Sequence, residues 1–175
     1  WNLIVPAGQI GEVQGRKPVW TGSDRIVYSG CNTWQGGGSC GIFSVGSWAT
    51  KRTSGGETPV KILDGANTFP TDTKAGLVAV QSRDRDGNWE AYVMAENGAG
   101  VVNVSNSPNS SDGLPTISPD GQWVAFVSDR EGGWAIFVAP VGGGPAQKLF
   151  DFPKSNPWGV GGGRDWPEER ISWSR

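Results

Sequence analysis

Leu114-Pro-Thr-Ile-Ser-Pro-Asp-Gly-Gln-Trp-Val-Ala-Phe-Val-Ser-Asp-Arg130, continued by Gly133-Trp-Ala-Ile-Phe-Val-Ala-Pro140 and Ala146-Gln-Lys-Leu-Phe150, reads as four short strands in succession. Pro115 to Ser118 is the first, and Pro119-Asp120-Gly121 makes a tight turn. Trp123 to Ser128, Trp134 to Ala139 and Ala146 to Phe150 follow. Pro at the first turn position and Gly after Asp supply the backbone angles that such a hairpin requires.

The same order recurs upstream. Phe69-Pro-Thr-Asp72 leads to Gly76-Leu-Val-Ala-Val80, Asp84-Arg-Asp-Gly-Asn-Trp-Glu-Ala-Tyr-Val-Met94 and Gly100-Val-Val-Asn-Val104. A further copy runs through Lys17-Pro-Val-Trp20, Arg25-Ile-Val-Tyr28, Gly41-Ile-Phe-Ser-Val45 and Pro59-Val-Lys-Ile-Leu63. Pro18, Pro70 and Pro115 mark matching positions 52 and 45 residues apart. Four short strands per repeat at that spacing predict an all-β fold: a small β-propeller of four-stranded antiparallel blades over 16–64, 65–111 and 112–153. The ends read as parts of a fourth blade. Trp1-Asn-Leu-Ile-Val-Pro6 lines up with Trp134 to Ala139, Gly11-Glu-Val13 follows as a second outer strand, and 164–175 holds an inner strand. Unpaired sheet edges invite strands, so Leu3, Ile4 and Val5 with Ile171, Ser172 and Trp173 are expected to complete that blade, within one chain or with a neighbouring one.

Ser118-Pro-Asp-Gly121, Val124-Ala-Phe-Val-Ser-Asp-Arg130 and Asp84 to Glu90 with Tyr92-Val-Met94 resemble PD40 repeats, the WD40-like repeats of TolB-like bacterial propellers. The resemblance implies a periplasmic, extracellular or cell-surface propeller that binds proteins or glycans at its ring-end loops. The first repeat departs from the pattern, with Thr21-Gly-Ser-Asp24 at the turn and a cysteine-bounded insertion; the second carries one extra residue before its Asp-Arg-Asp-Gly turn.

Composition narrows the function. The 175 residues include 28 Gly, 10 Trp and no His, with a net charge of −2. Gly costs about 1 kcal/mol in a helix interior, so helix is expected to be scarce. Without His the commonest general base and metal ligand are missing. The 15 Lys and Arg residues are scattered, whereas nucleic-acid binding needs a concentrated basic face. No membrane span is expected, and the start at Trp1 suggests a mature or excised product. Cys31 and Cys40 bound a short Gly-rich loop and fit a disulfide of an oxidising compartment, the alternative being two free thiols.

Other motifs are weaker. Gly37-Gly-Ser39-Cys-Gly41 matches a nucleophile elbow, but Gly41 to Val45 reads as a strand and no histidine base exists. Asp84, Asp86, Asn88 and Glu90 alternate like calcium-loop ligands, without the closing bidentate Glu, and equally suit a hairpin turn. Glu168 and Glu169, as sequence neighbours, would point to opposite faces of a strand. Asn103 and Asn109 begin glycosylation triplets. Trp20, Trp89, Trp123, Trp134 and Trp173 recur at repeat positions and are expected to pack between blades. Trp34, Trp48, Trp158 and Trp166 lie in irregular Gly- or Pro-flanked stretches and are the candidate binding residues. The expectation is a non-catalytic binding or self-assembling module without cofactor, forming a homo-oligomer or fibre. The alternatives are a glycan-binding domain or the accessory propeller of a larger surface peptidase or kinase.

Overall fold

The structure is a computed structural model and describes residues 2–3, 13–32, 39–46, 59–153 and 166–174. Three antiparallel sheets follow one another along the chain. Blade one comprises β2 (Val13–Trp20), β3 (Arg25–Asn32), β4 (Ser39–Gly46) and β5 (Val60–Asp64), with β1 (Asn2–Leu3) added at the free edge of β2. Blade two comprises β6 (Thr68–Lys74), β7 (Leu77–Ser82), β8 (Glu90–Ala95) and β9 (Val102–Asn103). Blade three comprises β10 (Asp112–Ile117), β11 (Trp123–Ser128), β12 (Ala135–Pro140) and β13 (Gln147–Asp151). β2 packs beside β6, and β6 beside β10, so the first strand of each blade faces the common axis. This is a small β-propeller built from three antiparallel sheets that follow one another along the chain.

Local chemistry accounts for the hairpins. At Ser118–Gly121 the Gly121 amide donates to the Ser118 carbonyl at 2.9 Å, with Gly121 at φ 73°. The Ser118 hydroxyl accepts the Trp123 amide and itself donates to Asp120, which also accepts the Gln122 amide. Those bonds hold the Asp120 carboxyl below its usual value. Each first strand carries a bulge, between Arg16 and Val19, Pro70 and Asp72, and Gly113 and Thr116. Counted from Ser82 and Ser128, Pro70 stands level with Leu114 rather than with Pro115, one residue off the predicted match. Leu114 takes φ 52° there, an angle that proline cannot adopt.

Packing joins the blades. Val19, Val27 and Ile42 of blade one meet Val78, Val80, Tyr92 and Met94 of blade two. Ala91, Val93 and Val104 of blade two meet Val124, Phe126 and Phe137 of blade three. Central strands are therefore buried on both faces, which explains their unbroken apolar runs, such as Val124 to Val127. Each fully buried Val or Phe contributes roughly 1.5–3 kcal/mol, so contacts between sheets hold the ring together.

The termini differ from expectation. Asn2 and Leu3 pair with Gln14 and Val13. They extend blade one instead of building a separate sheet, because β2 starts early enough to offer them an edge. Residues 169–174 form no strand ladder.

Candidate functional site

Two regions stand out: the segment that bridges blades three and one, and the ring end where aromatic residues gather. Trp166–Glu168 is a 3-10 turn. The Trp166 ring lies 5.2 Å from Trp134 and 5.8 Å, edge-on, from Trp89. Trp89 in turn stacks on Phe69 at 6.0 Å, and the Arg16 guanidinium lies 4.5 Å from the centre of the Phe69 ring. One carbonyl, that of Pro167, accepts from Gln81 Nε2 at 2.8 Å and from Lys17 Nζ. Glu168 faces Lys17 at 3.5 Å and Arg16 at 3.9 Å. Burial holds the Lys17 ammonium below the usual lysine value, while Glu168 pulls it the other way. The segment thus touches all three blades at the axis.

Beyond Glu168 the chain runs over the outer face of blade three. Ile171 and Trp173 pack with Leu114, Ala125, Val127 and Ile136. Lys74 Nζ donates to the Trp173 carbonyl at 2.7 Å, and the Trp173 amide donates to Thr116 Oγ1 at 3.2 Å. Residues 169–174 alternate half-buried and exposed, the two-residue period of a strand.

Trp20 is 60% and Trp123 41% exposed, which corrects their expected place between blades. Trp20 pairs across β3 with Ile26, on the face shared with Tyr28 and Phe43 and turned away from blade two. Trp123 shares its face of β11 with Ala125 and Val127, also turned away from blade two. Both therefore border the sector between blades three and one, where no further described blade covers them.

Of the other candidate residues, Trp166 is half-buried, with its ring against Trp89 and Trp134. Trp34, Trp48, Trp158, Ile4 and Val5 lie outside the described residues. Cys31 and Cys40 stand opposite each other on β3 and β4 and form the disulfide. The calcium candidates do not converge, and among the described residues no acidic cluster suits a metal. Asp84 caps Asn67, and Asp86 accepts from Tyr92 Oη and Asn103 Nδ2. Asn88 donates to Glu90 and to the Ser107 and Ser110 carbonyls, and Glu90 accepts from Ser105 and Ser107. Asp84, Asp86 and Glu90 accept from residues of neighbouring loops and strands, and Asn88 donates, so all four are engaged in bonds that join parts of blade two. Asn103 is half-buried, with its amide committed to Asp86, whereas Asn109 is exposed in a turn. Sequence reasoning missed a cleft of about 550 Å³ between blades one and two, lined in part by Asp64, Arg85, Asp86, Tyr92 and Asn103. A comparison of the second and third repeats, position by position, would have pointed to it.

No model of a known protein family matches the chain. It is 33% identical over 88 residues to the "uncharacterized peptidase YuxL" of Bacillus subtilis, covering 48% of this chain and 13% of that protein. It is 57% identical over 35 residues to "tricorn protease homolog 1" of Streptomyces coelicolor, covering 20% of this chain and 3% of that one. The fold is similar to TolB from Acinetobacter baumannii, with a TM-score of 0.57 at 14% identity over 79% of this chain and 33% of that one. Oligogalacturonate lyase from Vibrio parahaemolyticus matches with a TM-score of 0.57 at 14% identity, over 81% of this chain and 42% of that one. The fold is thus that of TolB-like propellers, and the chain spans half or less of each of these proteins.

Proposed function

We propose that this propeller is a non-catalytic binding and assembly module, secreted or at the cell surface, whose sector between blades three and one accepts strands. The observation that carries this reading is the segment 169–174. It has the alternation of a strand but no ladder, and blades one and three each expose an indole, Trp20 and Trp123, on the face turned away from blade two. A strand laid along it would satisfy its edge by β-addition and cover both indoles. The Cys31–Cys40 disulfide suits an oxidising compartment.

A second reading draws on the two sequence relatives, both named as peptidases and both far longer than the matched region. In that reading the chain is the accessory propeller of a larger peptidase, and the strands filling the sector belong to the same polypeptide. The glycan-binding alternative would rest on Trp166, which is half-buried against Trp89 and Trp134.

Light scattering of the chain against Trp20→Ser with Trp123→Ser tests the proposal. Association that disappears in the double variant, with the melting temperature kept, supports it. A monodisperse monomer at every concentration, or association untouched by the double variant and by deletion of 169–175, overturns self-assembly.

A further inference from the structure

The sheet registers align blade two with blade three. Thr68 stands opposite Ser82, as Asp112 stands opposite Ser128. Asp84-Arg85 and Asp129-Arg130 then enter the following hairpins. The two aspartates do the same work: Asp84 accepts the Asn67 amide at 2.6 Å, and Asp129 accepts the Ser111 amide at 2.8 Å.

The two arginines do not. Arg130 lies 5.3 and 4.9 Å from the ring centres of Phe126 and Phe137 and donates to Asp112 at 2.7 Å and to the Ser105 carbonyl at 2.9 Å. Arg85 lies 5.5 Å over Tyr92, the residue level with Phe137. Where blade three has the carboxylate of Asp112, blade two has Thr68, and its hydroxyl is engaged with Ser82 at 2.7 Å. Among the described residues Arg85 has no hydrogen-bond or ion-pair partner.

Around Arg85 opens the cleft of about 550 Å³, a volume typical of small-ligand sites. The carboxylates lining it already have partners, neutral donors for Asp84 and Asp86 and a lysine for Asp64. Asp84 is held by Asn67, Asp86 by Tyr92 and Asn103, and Asp64 by Lys61. The Arg85 guanidinium, without a hydrogen-bond or ion-pair partner among the described residues, is the lining cation, and its fork of donors matches a carboxylate.

We propose that this cleft binds a small carboxylate-bearing ligand, whose carboxylate pairs with Arg85 as Asp112 pairs with Arg130. The site is independent of the strand-accepting sector. Carboxylates of this size come from acidic sugars or from peptide C-termini. The full chain is therefore titrated with glucuronate and with N-acetyl-dialanine, each beside its neutral counterpart, glucose or the dipeptide amide, by NMR chemical-shift mapping.

At least one acid is expected to shift the cleft resonances. Binding should weaken about tenfold or more in its neutral counterpart and in Arg85→Gln, and should decline with added salt. A response to glucuronate alone identifies an acidic sugar; a response to the dipeptide alone identifies a chain terminus. Thr68→Asp restores the internal partner and should remove binding. Because Thr68 is buried, exposed Arg85→Gln carries the test if that variant fails to fold. Equal binding of acid and neutral forms, unchanged binding by Arg85→Gln, or no response to either acid at millimolar concentrations overturns the proposal.

Discussion

Trp166 lies so close over Gly113 that a Cβ built at position 113 would come 2.5 Å from its indole ring. Gly113 belongs to the first strand of blade three, so the closing segment is seated where any larger residue would push it off. Gly113→Ala is expected to destabilise the protein by about 1–3 kcal/mol, as overpacking does. It should also make the C-terminal segment a preferred site of limited proteolysis. Equal cleavage rates in the parent and the variant would show that Trp166 does not dock there in solution.

The paired arginines give a contrast within one molecule. Arg130 neutralises Asp112, which is fully buried. Arg130→Met leaves that buried carboxylate without its countercharge, with the Ser110 hydroxyl still bonded to it, and should cost about 3–5 kcal/mol. Arg85→Met removes an exposed side chain without an internal hydrogen-bond or ion-pair partner and should change stability by less than about 0.5 kcal/mol. Denaturant unfolding of both variants measures the difference, and similar losses would mean that the two positions are not distinguished as described.

What the repeats made legible, and what they did not, follows from the range of the forces. The Ser118–Gly121 turn, the apolar run from Val124 to Val127 and the cysteine pair are local, so their residue types announce them. Trp20 and Trp123 sit at repeat positions where an indole would normally meet the next blade. Their exposure depends on whether another sheet follows, which no local pattern encodes. Trp166 follows a Gly-rich stretch, and its partial burial comes from Trp89, Trp134 and Gly113, distant in sequence. Arg85 was readable in principle, since Thr68 replaces the aspartate of the next repeat. That substitution gains meaning only once the register fixes which residues oppose each other.

The disulfide should act as a local staple. Cys31 and Cys40 already face each other across β3 and β4, with a sequence separation of 9. Closing so short a loop constrains the unfolded chain by about 2–3 kcal/mol. Reduction is therefore expected to lower the unfolding free energy by that amount while the far-ultraviolet spectrum of the native state stays unchanged. Loss of all β signal on reduction alone would mean that the crosslink, and not interblade packing, sustains blade one.

The chain has two tyrosines, and both phenols are buried. Burial pushes Tyr28 and Tyr92 above the usual value of 10.0, and for Tyr92 the bond donated to Asp86 adds to the effect. A phenol whose value is higher folded than unfolded stabilises the protein fully below the unfolded value. That contribution declines as pH climbs above 10.0 toward the folded value. Spectrophotometric titration of the native protein should therefore show little tyrosinate at about pH 11, where an ordinary tyrosine is mostly ionised. Both phenols should then ionise together as the ring unfolds in stronger alkali. Tyr92→Phe should leave a single phenol in that step and lessen the alkaline dependence of stability. A reversible ionisation of either tyrosine near 10, with the fold intact, would place that ring in water.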